Sequence, residues 1–350
     1  MLKAYIGELL EYSYIPLLYP NLGFKIKTNH LISLNAFKFY KEPVLSIVNN
    51  PSEADFFLIP HNYFLIKSNK EYIQKFVSLS EKYGKKIMIF AQGDSDENIG
   101  IPNSIIFRTS QYRYKKKNNE IMMPPYVEDL SLSHKFKLRQ KTGGAPVVGF
   151  CGWADTKGLK SAIKNIIKNL FFNIKKLINS NPGYAAKKHG LFFRKKAIKS
   201  LVKSKSVKSN FIIRDFYSGH KKIIGISPEK ARLDYINNMD NSDFALAIKG
   251  DGNFSFRFYE ALSAGRIPFF INTECVLPLE DILDYQNFVL FVDYKKINSA
   301  GEIVGEFYEN MDNDRFLKMQ TSAKEAFDKF LRIDKFFEIM FLKEKIKDCL

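Results

Sequence analysis

The sequence predicts an α/β protein with two Rossmann-like units that face a central cleft. Short apolar runs, typical of strands buried on both faces, alternate with helical patterns in the first half of the chain and again in the second. The stretch KTGGAP at 141–146 separates the halves and has the composition of a linker. The chain has 350 residues, which is enough for two domains. We therefore expect a first domain at 1–144, a second at 145–312 and a helical tail at 313–350.

The first unit contains four predicted strands and one clear helix. The helix covers 71–83 and ends at Gly84, because glycine commonly terminates helices. Such alternation favours a parallel sheet with crossover helices. The predicted strands are LKAYIG at 2–7, DFFLIP at 55–60, KIMIFA at 86–91 and SIIFRTS at 104–110.

The second unit repeats this pattern with more elements. Open α/β sheets bind ligands at the carboxyl ends of their strands, so the cleft between the units is the expected site. The predicted strands are 146–153, 211–216, 243–248 and 267–271, and the predicted helices are 159–178, 190–203, 229–240 and 255–264.

The composition is that of a soluble globular protein, with 45% hydrophobic and 26% charged residues. The chain has no run of 18 apolar residues, and its start lacks the basic flank and cleavage site of a signal peptide. The three cysteines lie far apart, which favours neither a disulfide framework nor a zinc site. We expect a cytoplasmic protein, peripheral at the inner face of the membrane.

The positive charge is concentrated in one segment. The net charge is +17, and residues 156–214 hold 16 Lys and Arg without a single Asp or Glu. A basic segment in a nearly neutral body suggests a docking face, and we expect 157–214 to bind an anionic membrane surface. The alternative is a pair of amphipathic helices whose lysines are simply solvated. No nucleic-acid motif accompanies the charge, so no nucleic-acid partner is expected.

The segment 242–292 carries the chemistry. The buried strand DFALAI leads into Lys249-Gly250-Asp251-Gly252, and a helix then begins at Ser255. Two glycines let the backbone approach a ligand, and the helix N-terminus after Ser255 offers free N–H groups to an anion. Lys249 and Arg257 supply the charges that a diphosphate would need. Glu260, one turn after Arg257, could accept two ribose hydroxyls.

This segment resembles the donor half of the exostosin-like glycosyltransferase family. The matching residues follow the family order over about fifty positions. They are Ser242, Phe244, Leu246, the KGDG loop at 249–252, Ser255, Arg257, Glu260-Ala261-Leu262, Gly265-Arg266-Ile267-Pro268, Pro278, Ile282-Leu283-Asp284-Tyr285 and Phe288. EADFFLIP at 53–60 and FCGW at 150–153, which contains Gly152, extend the resemblance upstream. Lys249 replaces the commoner Arg, and Tyr285 replaces the commoner Trp.

The resemblance implies a GT-B fold, with an acceptor-binding first domain, a donor-binding second domain and a C-terminal helix that returns toward the first. It also implies transfer of a sugar, with inversion, from a nucleotide-sugar donor, usually a UDP-sugar. The expected donor-binding residues are Gly152, Lys249, Gly250, Gly252, Ser255, Arg257 and Glu260. We expect the acceptor to be a glycan or a lipid-linked glycan of surface polysaccharide synthesis. The alternatives are a non-catalytic GT-B-like module that binds an anionic polymer or membrane, and a fucosyltransferase-like enzyme that uses GDP-fucose.

An inverting transfer needs a base that takes the proton of the acceptor hydroxyl. Candidates at strand ends of the first unit are Asp94, His61 and Glu8, of which Asp94 is favoured because family members often place an Asp after this strand. Asp94-Ser95-Asp96 also spells D-x-D, a metal-binding pattern of the other major glycosyltransferase fold. Because the pattern lies in the acceptor-binding half, far from the diphosphate loop at 249–257, we expect no metal ion and no cofactor besides the donor.

Overall fold

The computed structural model of the chain describes residues 1–23, 35–154, 182–214, 226–343 and 345–350. In these ranges the chain forms two parallel sheets. The first sheet has the order β2-β1-β3-β4-β5-β6, and all of its strand pairs are parallel. Its strands are β1 Lys3–Tyr5, β2 Ser46–Ile47, β3 Phe56–Asn62, β4 Ile87–Ala91, β5 Ser104–Arg108 and β6 Glu120–Met122.

The second sheet has the order β11-β10-β9-β7-β8, again with parallel pairing. Neighbouring strands that are distant in sequence require crossover connections, as in Rossmann-like units. The strands are β7 Val147–Trp153, β8 Lys208–Arg214, β9 Phe244–Ala247, β10 Ile267–Asn272 and β11 Leu290–Asp293.

The helices begin and end where local chemistry satisfies their free backbone groups. In α3, Lys70–Tyr83, the Asn69 side chain accepts a hydrogen bond from the Tyr72 N–H, and Gly84 ends the helix in the left-handed conformation. In α5, Pro228–Asp240, Ser227 caps the helix and Pro228 occupies its first turn. The described α-helices are α1 Tyr19–Leu22, α2 Tyr63–Ile66, α3 Lys70–Tyr83, α4 Gly190–Lys203, α5 Pro228–Asp240, α6 Phe256–Ser263, α7 Ala300–Glu309, α8 Asn313–Ala326 and α9 Ile333–Phe337.

The C-terminal segment joins the two sheets. Phe316 and Met319 of α8 pack into the core of the second sheet. Farther along, Phe336 and Phe337 of α9 are fully buried in the core of the first sheet. The C-terminal helix therefore returns to the first unit, and the predicted α/β architecture of the GT-B type is confirmed. The domain boundaries at 144 and 312 stay predictions.

The predicted strands and helices lie within a few residues of the observed ones. The predicted helix at 159–178 and the end of the predicted strand at 211–216 lie outside the described residues. In the part of the chain that the structure describes, no helix is both long and apolar enough to cross a membrane. Cys151, Cys275 and Cys349 are free thiols.

Candidate active site

The candidate site is built around residues 249–253, which we call the donor loop. The loop follows β9, a central strand of the second sheet, and ends just before α6. It therefore lies at the carboxyl end of the sheet, where ligands of open α/β sheets bind. At its two ends, Lys249 and Asn253 are each only 1% exposed. Both ends of the donor loop are thus packed between protein segments, while Asp251 in its middle is exposed.

The donor loop touches the first unit at Asp94. The Gly252 N–H donates a hydrogen bond of 3.1 Å to Asp94 Oδ1. A Cβ on Gly252 would lie 2.7 Å from both the Asp94 Cα and Oδ1, so only glycine permits this approach. Asp94 and Gly252, both predicted as site residues, are therefore in direct contact.

Asn253 fastens the same loop to the segment that follows β5. Its backbone N–H donates to Ser110 Oγ at 2.8 Å, and its side-chain amide donates to the Gln111 carbonyl at 3.0 Å. Its side-chain oxygen accepts from Thr273 Oγ1 at 2.7 Å. Buried polar groups are stable only when they are paired in this way. Asn253 therefore connects the two sheets at the candidate site.

Arg257 lies against the end of β7. Its guanidinium donates to the Cys151 carbonyl and stacks on the Phe150 ring at 4.2 Å from the ring centroid. A Cβ on Gly152 would lie 2.8 Å from Arg257 Nη2, so glycine gives the guanidinium room. The buried Nε of Arg257 has no hydrogen-bond partner among the described residues. The predicted pair Gly152 and Arg257 is thus brought together, with donor capacity to spare for an anion.

Ser255 and Gly250 flank the start of α6. Ser255 occupies the N-cap position with extended backbone, but its side chain makes no capping hydrogen bond to the helix. The Gly250 N–H donates to the Phe254 carbonyl at 3.3 Å, which folds the donor loop back on itself. Both residues lie next to the N-terminus of α6, and their role in binding an anion there stays a prediction.

Lys249 is placed differently from the prediction. Its ammonium donates to Tyr112 Oη at 2.7 Å and to the Ala186 carbonyl at 2.8 Å. Burial lowers the pKa of this amine to about 7. In this geometry the ammonium donates its hydrogen bonds to protein groups, so the role of Lys249 as a direct diphosphate ligand stays a prediction.

Glu260 is also engaged within the protein. It is 4% exposed, it accepts a hydrogen bond from Tyr235 Oη, and Arg232 Nη1 lies 3.9 Å from its Oε1. Arg232 also pairs with Glu128. Tyr235 already donates to one oxygen of this nearly enclosed carboxylate, and the ribose role of Glu260 stays a prediction.

The three candidate bases occupy different environments. Burial raises the pKa of the Asp94 carboxyl above its ordinary value, Asp251 adds to this rise, and the Gly252 amide opposes it. A carboxyl with a raised pKa at the contact between two domains is suited to accept a proton. Of the three, Asp94 is the candidate that the structure places against the donor loop.

His61 and Glu8 have partners elsewhere. His61 is fully buried; its Nε2 accepts from the Leu10 N–H at 2.9 Å, and its Nδ1 lies 3.1 Å from the Ser13 carbonyl. The exposed carboxylate of Glu8 pairs with Lys75 on α3 at 3.3 Å. The geometry gives His61 a structural role in the chain that follows β1 and leaves Glu8 on the surface, so it supports neither as a base.

The expectation that the D-x-D pattern lies far from the donor loop is wrong, because Asp94 contacts Gly252 when the two units pack together. Asp96 is instead paired with two lysines. Its Oδ2 lies 2.9 Å from Lys115 Nζ and 2.6 Å from Lys187 Nζ. Burial raises the pKa of Asp96, but hydrogen bonds and charge from the two lysines outweigh burial and lower it. Across the described ranges, no group of three or more His, Cys, Asp and Glu side chains is arranged to hold a metal ion. Metal independence itself stays a prediction.

Several residues at this site were not predicted. Tyr112, Ser110 and Gln111 follow β5, and Tyr235 and Arg232 lie on α5. The only signal for the first three is their place after a strand of the first unit, because strand ends meet at one edge of a parallel sheet. Nothing in the local sequence of α5 distinguishes Tyr235 or Arg232 from ordinary helix residues.

The basic segment is described from residue 182 onward. The buried side of α4 packs on the second sheet through Phe193, Ala197 and Leu201. The exposed side carries Lys195, Lys196, Lys199 and Lys203, together with Val202, which is 62% exposed. The predicted amphipathic helix at 190–203 is confirmed with the same bounds, and the helix predicted at 159–178 lies outside the described residues.

Part of the chain, including the donor loop, is similar to known proteins. Residues 179–307 match the Exostosin GT47 domain, which includes β8 to β11 and the whole donor loop. Exostosin-1 of Drosophila melanogaster is 37% identical over 76 residues, which are 22% of this chain and 10% of that protein. The Exostosin-1 homolog of Caenorhabditis elegans is 28% identical over 104 residues, which are 30% of this chain and 26% of that protein. The matched segments thus span at most about a quarter of these relatives.

Two solved structures match nearly the whole chain, but their sequence identity to it is low. The Anabaena HepE structure, which is in complex with UDP, covers 88% of this chain, and 88% of that chain is matched, at 11% identity and a TM-score of 0.37. A glycosyltransferase of Rickettsia africae covers 90%, with 87% of that chain matched, at 10% identity and a TM-score of 0.36. Similarity this low carries no argument about ligand or activity. The family that the sequence comparisons indicate is therefore the exostosin one: residues 179–307 are similar to the Exostosin GT47 domain.

Proposed function

We propose that the chain is an inverting glycosyltransferase that moves a sugar from a nucleotide-sugar donor to a glycan or lipid-linked glycan acceptor in surface polysaccharide synthesis. A UDP-sugar is the donor that the resemblance implies. The observation that carries the proposal is the contact between Asp94 of the first unit and Gly252 of the donor loop. It brings a carboxylate from one unit to the donor loop of the other, which supports a base at the place where donor and acceptor would meet.

In the proposed reaction, Asp94 takes the proton of the acceptor hydroxyl as the hydroxyl oxygen bonds to the anomeric carbon of the sugar. The bond between that carbon and the diphosphate oxygen breaks, and the diphosphate leaves with the electron pair. Arg257 and the start of α6 stabilise the negative charge that develops on the diphosphate. The Arg257 Nε, which has no protein partner among the described residues, is one donor for this purpose.

Two variants separate the proposed roles of Asp94 and Arg257. Asp94→Asn keeps an oxygen for the Gly252 N–H but removes the base, so we expect kcat to fall by about 10²- to 10⁴-fold while the Kd for UDP stays within about twofold. Arg257→Ala should instead weaken UDP binding by about 10- to 150-fold, since a charge-assisted hydrogen bond contributes about 1.5–3 kcal/mol. Calorimetry with UDP and single-turnover transfer assays measure both quantities.

Glu8→Gln is the matched control, because it neutralises an exposed carboxylate that follows β1, and it should change neither quantity. Unchanged transfer by Asp94→Asn would show that another group is the base. If UDP-, GDP- and CMP-sugars all fail to stabilise the wild-type chain in a thermal-shift assay, the enzyme proposal fails and the non-catalytic alternative is favoured. Stabilisation by GDP-fucose alone would favour the fucosyltransferase-like alternative.

We further propose that the basic segment 157–214 holds the chain at an anionic membrane surface, on the cytoplasmic side, where a lipid-linked acceptor would lie. The support is the exposed row of lysines on α4. Each basic residue near an anionic leaflet contributes about 1 kcal/mol, so a few residues suffice for reversible attachment.

A further inference from the structure

Lys249 is a charged side chain enclosed by protein. It is 1% exposed, and its two hydrogen bonds go to Tyr112 Oη and the Ala186 carbonyl. The ammonium also lies 5.0 Å from the centroid of the Tyr112 ring and 5.6 Å from that of Phe193. Such rings attract a cation through their faces. To neutralise a phosphate in the cleft, the ammonium would have to leave both hydrogen bonds and both rings.

The partner of Lys249 belongs to the first unit. Tyr112 lies four residues after β5 and forms an antiparallel bridge with Cys275 of the second unit. The next residue, Arg113, donates its backbone N–H to the Glu274 carbonyl at 2.8 Å. Lys249 therefore lies at the seam between the units, and the loop residues that follow it contact Asp94 and Ser110 across the same seam.

Burying an ammonium group destabilises the folded protein. Removing a charge from water is unfavourable, and a well-packed apolar side chain of similar size is often as stable or more stable in its place. The lowered pKa of Lys249 reflects this cost, with burial as its largest cause. A methionine would fill the same volume without it. Methionine, however, could not donate a hydrogen bond to Tyr112. This hydrogen bond therefore gives a reason for a lysine at position 249.

We propose that Lys249 and Tyr112 form an interdomain latch that holds the donor loop against the first unit. Lys249 then acts on the reaction as a positioning residue, through Tyr112, and not as a ligand of the diphosphate. The inference rests on the assignment of residues 249–253 as the donor loop. Its consequence is that the Asp94–Gly252 contact depends on Tyr112, which contacts neither of these two residues through a hydrogen bond of its own.

A double-mutant cycle tests the latch. Tyr112→Phe removes only the hydroxyl, and Lys249→Met removes the charge at similar volume. We expect each variant to raise amide hydrogen exchange at least tenfold in peptides covering 108–116 and 248–256, and to lower kcat at least tenfold. The Kd for UDP should change less than threefold. The double variant should be no worse than either single one, because both remove the same interaction.

Tyr114→Phe is the matched control. Tyr114 lies two residues away, and its buried hydroxyl has no hydrogen-bond partner among the described residues, so exchange and kcat should stay at wild-type values. Wild-type exchange in Tyr112→Phe would overturn the latch. So would a tenfold loss of UDP affinity in Lys249→Met alone, since that result identifies a direct phosphate ligand. The exchange measurement needs no donor, so it decides the latch even if the chain proves not to bind UDP.

Discussion

Lys249 and Glu260 are buried charged residues, and each has a tyrosine partner from another part of the chain. The Lys249 amine bonds to Tyr112, which is 137 positions away. The Glu260 carboxylate bonds to Tyr235 on α5. In both cases the charge is satisfied inside the protein, because an unpaired buried charge would cost several kcal/mol. Arg257 differs, since its Nε is buried and has no such partner among the described residues. Of the three charged residues, Arg257 is therefore the one best prepared to receive an anion.

The lowered pKa of Lys249 predicts how stability depends on pH. The pKa is about 7 in the folded chain against an ordinary value of 10.5, so the unfolded chain binds more protons between these two values. The free energy of unfolding then rises with pH above 7, by about 1.4 kcal/mol per pH unit from this residue, and the cost of burying the charge is fully present below pH 7.

Lys249→Met lacks this dependence. We expect the stability of the wild type relative to Lys249→Met to increase from pH 6.5 to pH 8.5. Urea unfolding of both proteins at three pH values measures it, and subtraction removes the titration of all other groups. A difference that does not change with pH would mean that the amine stays charged throughout this range.

At the scale of elements, α4 and the donor loop fit together through one glycine. A Cβ on Gly190, the first residue of α4, would lie 2.3 Å from the Lys249 carbonyl oxygen and 2.4 Å from that of Gly250. Both atoms belong to the backbone, so they cannot turn away as a side chain could. The start of α4 and the beginning of the donor loop therefore require glycine at position 190.

Gly190→Ala should destabilise the chain by about 1–3 kcal/mol, as overpacked core positions do. The sign of the change in the free energy of unfolding is informative. Alanine is the better helix former, so without this contact the substitution would stabilise the helix by up to about 1 kcal/mol. Urea unfolding measures the change. Gly100→Ala is the control, since a Cβ there would have no heavy atom within 4 Å. A stabilised Gly190→Ala protein would contradict the packing of α4 on the loop.

The elements could be predicted from the sequence to the extent that each has a local signal. The apolar runs of β3, β4, β9 and β10 are long enough to be identified, and α4 has the predicted bounds. In contrast, β2 and β6 have only two and three residues, which is too short for a periodic pattern. The same limit applies to the site. Gly152, Gly252, Ser255 and Arg257 belong to contiguous motifs, whereas the pairing of Lys249 with Tyr112 depends on how the two units dock.

At the scale of the whole molecule, the charge is distributed unevenly. The segment 156–214 holds 16 of the Lys and Arg residues without an Asp or Glu, and α4 presents four of its lysines to solvent. In the C-terminal segment, by comparison, acidic residues stand among the basic ones, as Asp334 and Glu338 do beside Arg332 and Lys335. A surface that is charged only for solubility has positive and negative residues interspersed, which the segment 156–214 does not have.

This distribution predicts binding to anionic membranes. We expect the protein to sediment with vesicles that contain anionic phospholipid and not with neutral vesicles. Rising salt concentration should release the protein, since charge attraction is screened over about 8 Å at physiological ionic strength. Changing Lys195, Lys196, Lys199 and Lys203 to Glu should abolish sedimentation while leaving turnover of a short soluble acceptor unchanged.

The matched control is a variant with the same change in net charge on the first unit. It replaces four exposed lysines with Glu, namely Lys38, Lys41, Lys70 and Lys82. Equal loss of binding in the control would show that net charge, and not α4, drives attachment. A loss of soluble-acceptor turnover in the α4 variant would instead place these lysines at the acceptor site.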